Sequence, residues 1–64
     1  MTLEIKWNEE TGKWEVRQAC GYVVWEGELR REAIFYCRDR EDDPEDQVEK
    51  IIAYNRDGSI AWGQ

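Results

Sequence analysis

Seven carboxylates crowd the eleven residues from Asp39 to Glu49: Asp39, Glu41, Asp42, Asp43, Glu45, Asp46 and Glu49, against one base, Arg40. Two kinds of chemistry draw on such a run. Calcium and magnesium sites need carboxylates turned inward by a loop, but the D-x-[DN]-x-[DN]-G spacing and its glycine are missing, so no metal is expected. Carboxylates displayed on a stiff scaffold also exert the Coulomb attraction that a phosphate backbone exerts, and so fit a basic, nucleic-acid-binding groove on another protein. Pro44 stiffens the run by fixing its own φ. The seven carboxylates are therefore candidate partner-binding residues. The competing reading is a solvated helix end and loop, which is how many charge runs are used.

Aromatic side chains are the second candidate set. Trp7, Trp14, Trp25, Trp62, Tyr22, Tyr36, Tyr54 and Phe35 make up 12% of the chain. A small core relies on large side chains for buried area, so most of them are expected inside. Any exposed remainder would suit a binding hot spot. Trp25 and Trp62 are the candidates, because Trp25 lies in a segment apolar on both faces and Trp62 stands near the chain end.

Enzymatic chemistry finds little to work with. The chain has no histidine, so no histidine-based triad, metal site or pH switch can be assembled. Cys20 and Cys37 lie far apart, form no C-x-x-C, and lack a histidine base to activate them. Carboxylate pairs such as Glu26 and Glu28 need a pocket that separates their pKa values, and one helix on a small sheet offers little pocket. Ser59 sits among turn residues with no partner. No catalytic residue and no cofactor is expected.

Charge narrows the partners. Fifteen acids against nine bases give a net charge of −6, and the bases are scattered among acids. That disfavours direct contact with nucleic acid or an anionic membrane. A basic protein surface is the natural electrostatic partner, although the same charge also serves solubility. The longest apolar run, Ala33 to Cys37, is five residues, against about 18 needed to span a bilayer. The first six residues lack the features of a signal peptide. A cytoplasmic protein with reduced thiols is expected, as a monomer or homodimer.

The elements that must position these groups are legible from periodicity. The 64 residues suffice for one domain, 1–64. Leu3, Ile5 and Trp7 alternate with polar residues, as do Trp14 and Val16, and Asn8 to Gly12 supplies turn chemistry between them. Tyr22 to Glu26 reads as a third strand, central or partly covered on its outer side. Glu28 to Glu41 changes period: Leu29, Ala33, Tyr36 and Cys37 form a helical stripe, with Gly27 or Glu28 as a weak cap and Phe35 off the stripe. A single turn at 44–47 then precedes a strand from Val48 to Tyr54, because Asn55 to Gly58 is hairpin chemistry leading into Ser59 to Trp62. The alternative is a helix started by Asp43 and Pro44 and carried through Val48, Ile51 and Ile52. The fold class predicted is α+β: a small antiparallel sheet with one helix packed on one face, in the order β-β-β-α-β-β. One helix would cover most of the inner face and leave some tryptophans on the other side.

Trp14-x-Val16, the Glu32-Ala33-Ile34 helix start and the closing Asn55-Arg56-Asp57-Gly58-Ser59-Ile60 resemble a family of small bacterial and phage proteins of unknown function. That resemblance implies a strand–helix–hairpin fold and no established activity. Leu29 stands where the family pattern has Ser or Thr, and the carboxylate run replaces a more balanced loop. In size, charge and lack of catalytic groups the chain is also similar to small acidic phage inhibitors of host RNA polymerase, restriction enzymes, uracil-DNA glycosylase and CRISPR effectors. This second likeness implies an inhibitor that binds a basic nucleic-acid-handling protein and blocks its DNA or RNA site. The alternative is a non-enzymatic bacterial domain that acts as an interaction or dimerisation module.

Overall fold

A strand whose alternate residues are apolar can bury one face and leave the other wet. In a computed structural model of the chain, which describes residues 1–63, β1 (Thr2–Asn8) does this with Leu3 and Ile5 fully buried. Asn8 folds the chain back. Its side-chain oxygen accepts the Glu10 amide and its carbonyl accepts the Gly12 amide, both at 2.9 Å, and Gly12 takes the left-handed φ of 68° that the turn requires. β2 (Lys13–Gln18) returns antiparallel and sets Val16 beside Ile5 and Trp14 beside Trp7. A tight turn closed by the Gly21 amide on the Gln18 carbonyl at 2.8 Å leads into β3 (Val23–Gly27), antiparallel to β2 with a bulge at Val16/Arg17.

The helix is shorter than its periodic stripe. α1 spans Arg30–Glu41, and Leu29 caps it with extended backbone and no side-chain bond, so neither Gly27 nor Glu28 is the cap. Leu29 therefore drops out of the buried stripe and stands 43% exposed. Ala33 and Cys37 face the sheet fully buried, and Phe35 points away from it. Glu32 in the first turn and Arg38 and Arg40 in the last match the helix dipole.

After a turn over 44–46, β4 (Lys50–Tyr54) and β5 (Ile60–Gly63) form the expected hairpin. Gly58, at φ 91°, closes the turn by donating its amide to Asn55 at 3.1 Å. The strand order is β3-β2-β1-β4-β5. The sheet is not wholly antiparallel: β4 runs parallel to β1, with Leu3 beside Ile51 and Ile5 beside Ala53. The cause is the direction of α1, which returns the chain to the Met1 end, where the Glu49 amide donates to the Met1 carbonyl at 2.8 Å. A strand entering there must run the same way as β1. β3 is also an edge strand rather than a central one, with Tyr22 and Val23 exposed beside it.

Leu3, Ile5, Trp14, Val16, Ala33, Cys37, Ile51 and Ala53 form the core. All four tryptophans lie on its side of the sheet, since Trp7 pairs with Trp14, Trp25 with Val16 and Trp62 with Ala53. The expectation that some would remain on the far face is thus corrected. A helix about 10–12 Å wide cannot cover five strands spaced about 4.8 Å apart. α1 packs on β1, β2 and β3, and Trp62 helps cover what is left. The far face is polar, carrying Glu4, Lys6, Glu15, Arg17 and Tyr54. Among the described residues no helix is long and apolar enough to cross a membrane.

Candidate functional site

The carboxylate run begins on the last turn of α1 and ends at β4, so one end of the molecule holds all seven members. Hydrogen bonds shape the loop between. The Asp43 side chain accepts the Glu45 amide at 2.9 Å, and the Asp43 carbonyl accepts the Asp46 amide at 3.2 Å, forming a turn over Pro44. Gln47 follows at φ 51°, an uncommon conformation for a residue other than glycine. It is held there by the Met1 ammonium, which donates to the Gln47 carbonyl at 2.8 Å. The N-terminus thus latches the loop to the sheet.

The carboxylates consequently divide by task. Asp43 is spent on the backbone. Asp46 accepts a bond from Arg40 at 3.4 Å, and Glu49 lies 3.9 Å from the Met1 ammonium. Asp39, Glu41, Asp42 and Glu45 are exposed, and among the described residues none has a cationic partner. These four are the displayed charge. Among the described residues no group of three or more potential ligands is arranged to hold a metal ion.

The two tryptophan candidates are half-buried and packed against the core. Trp25 stacks on Tyr36 with ring centroids 6.2 Å apart, and its ring lies over Gly27, where an added Cβ would fall 2.5 Å from it. Tyr36 in turn carries the Arg40 guanidinium, 4.9 Å from its centroid. Trp25 therefore joins the acidic end through Tyr36, Arg40 and Asp46. Among the described residues no hydrogen bond, ion pair or ring contact ties Trp62 to the carboxylates. A cavity of about 140 Å³ opens between Met1, Gln18, Tyr36, Arg40 and Asp46. Sequence reasoning missed Tyr36, Arg40 and the Met1 ammonium as supports of the site. Arg40, the lone base within the run, was the available signal.

One titratable group is buried outside this end. Glu15 lies on the polar face of β2 only 4% exposed, yet it accepts bonds from Asn8 at 3.1 Å and from Arg17 at 2.9 and 2.6 Å. Burial alone would push its carboxyl up. The bonds from Asn8 and Arg17, with the Arg17 charge, outweigh that and hold it below the ordinary carboxylate value. Its partners occupy its oxygens, so it is a structural ion pair rather than a free acid or base.

The chain matches no protein-family model, no curated protein and no solved structure.

Proposed function

We propose that this chain is a non-catalytic binding protein whose acidic end docks on the basic, nucleic-acid-handling surface of another protein and blocks it. The observation that supports this reading is the set Asp39, Glu41, Asp42 and Glu45, exposed and without a cationic partner among the described residues, carried on the last turn of α1, its C-cap and the following loop, whose backbone is tied down at Asp43, Asp46 and Gln47. Fixed charges lose less conformational entropy on binding than mobile ones, so a latched loop presents them as a preorganised surface. Like charges held together repel one another, and a basic groove relieves that repulsion. Attraction of this kind speeds encounter and weakens steeply with salt.

The test is a pull-down from cell lysate with the parent chain and with a variant carrying Asp39→Asn, Glu41→Gln, Asp42→Asn and Glu45→Gln. The reading expects nucleic-acid-binding proteins on the parent, released by salt, displaced by added DNA or RNA, and absent from the folded variant. Equal recovery by both chains, or capture that added nucleic acid does not disturb, overturns it.

A further inference from the structure

The end of the sheet opposite the carboxylates has a different character. Lys6, Trp7, Tyr54, Asn55, Arg56 and Gly58 line a half-open cleft of about 140 Å³. The Arg56 guanidinium lies over Trp7, 4.3 Å from its centroid, and the Lys6 ammonium lies 5.0 Å from that of Tyr54. Trp7 meets Trp14 edge-on at 5.3 Å, and Arg30 lies 5.4 Å from the Trp14 centroid, so on the core side two cations flank a pair of rings, while Lys6 and Tyr54 reach this end from the far face. Lys6 is partly neutralised by Glu4 at 3.6 Å. Asp57, the nearest acid in sequence, is occupied by the Ser59 amide at 2.9 Å and the Ser59 hydroxyl at 2.7 Å. Among the described residues Arg56 has no carboxylate within 4.0 Å, and none accepts a hydrogen bond from it.

We propose that this cleft is a binding site for a carboxylate or phosphate group attached to a flat apolar ring. A guanidinium that rests one face on an aromatic ring keeps its in-plane N–H donors free, and those donors match two oxygens of an anion at once. Trp7 fixes the direction of that fork, and Lys6 adds a second positive charge to the same cleft. The flat part of the ligand would lie in the cleft against Tyr54, since the Trp7 ring lies on the core side of the sheet and already carries the Arg56 guanidinium. The volume suits it, since about 150 Å³ accommodates a benzene ring. On a chain of net charge −6, an arginine that has no counter-ion among the described residues and rests on the Trp7 ring is a recognition group. The site shares no residue with the acidic end and does not depend on the function proposed for it.

Benzoate, phenyl phosphate and neutral benzyl alcohol are the probes, titrated separately into the isotope-labelled full chain while the Trp7 indole N–H and the Arg56 side chain are followed by NMR. At least one anion is expected to shift both signals saturably below about 10 mM. Arg56→Gln, at an exposed turn position that keeps the fold, is expected to weaken that binding by about ten-fold or more. The tighter of the two anions names the group recognised. No saturable shift with either anion, equal binding of benzyl alcohol, or unchanged affinity in Arg56→Gln overturns the proposal.

Discussion

The two ends of the sheet hold charge by different means. At the Met1 end, carboxylates stand on the last turn of α1 and on a loop fixed by backbone bonds, the Asp43 turn and the N-terminal ammonium. At the Tyr54 end, cations rest on rings, Arg56 on Trp7, Lys6 on Tyr54 and Arg30 on Trp14. β4 joins the two ends, and its five residues separate them by about 13 Å at roughly 3.3 Å per residue. The contrast teaches where the stability of each end comes from. The acidic end is held by the backbone, and loss of any one of its four unpaired charges is expected to leave it standing. The cationic end is held by the tryptophans, and it is expected to fail with them.

The largest effect expected is on thiol reactivity, which reports whether the core beneath the acidic end stays closed. Cys20 is exposed at the β2–β3 turn, whereas Cys37 is fully buried on the sheet-facing side of α1. Burial, and then the charge of Glu41, raise the Cys37 thiol to about 11. Cys20 is expected to react promptly with a thiol reagent. Cys37 must wait for opening, and should lag by about a thousand-fold or more if opening costs about 5 kcal/mol. Reaction of Cys37 within ten-fold of Cys20 would mean that the acidic end opens locally and presents no rigid surface.

Truncation of Trp14 tests the other end. Trp14→Ala removes the edge contact to Trp7 and the platform under Arg30. It is expected to cost about 3–5 kcal/mol in denaturant unfolding, as large-to-small changes at buried aromatics do. That is a large share of what so small a domain possesses. A loss below about 1 kcal/mol would show that the rings at this end are surface ornaments rather than its support.

Why the sequence announces one end and conceals the other follows from distance along the chain. The carboxylates fall within eleven successive residues, and the turn at Pro44, the Asn55 to Gly58 hairpin and the buried pair Ala33 and Cys37 are all set by near neighbours, so the local pattern reveals them. The cleft draws Lys6 and Trp7 from β1 and Tyr54 to Gly58 from the β4–β5 hairpin, which meet only through the parallel pairing of β1 with β4. That pairing follows from where α1 delivers the chain, a long-range outcome no local pattern carries. Glu15 shows the same limit. Alternation places it correctly on the polar face, but its burial arises from Asn8 and Arg17 closing over it.

Glu15 pairs with Lys6 on the polar face and tests how far the ion pair beside the cationic end supports the fold. Glu15→Gln keeps the size and removes the charge that Arg17 and Asn8 bind, and it is expected to cost about 1–2 kcal/mol near neutral pH. The pH dependence has a definite sign. The folded-state pKa lies below the ordinary value of 4.5, so the contribution is complete above 4.5 and is lost as pH falls through the folded value. Parent stability should therefore decline with acid below that point, and the decline should be shallower in Glu15→Gln. Identical acid limbs in urea unfolding would remove Glu15 from the ion-pair role assigned to it.

The smallest effect separates displayed charge from tethering charge within the acidic run. Asp39, Glu41, Asp42 and Glu45 lack cationic partners among the described residues, so neutralising each should change stability by about 0.5 kcal/mol or less. The sign should be stabilising at low salt, because only repulsion is removed, and the gain should shrink as salt screens it. Asp43 and Asp46 should behave oppositely. Asp43→Ala removes the acceptor of the Glu45 amide, and Asp46→Ala removes the partner of Arg40, a half-exposed pair at 3.4 Å. Each should destabilise by up to about 1 kcal/mol, and together they should loosen the loop, visible as faster amide exchange at Glu45 and Asp46. Thermal unfolding of the two variant sets at low and high salt makes the comparison. If both sets shift stability in the same direction, the division of the run fails, and with it the argument that four of its carboxylates are held out for a partner.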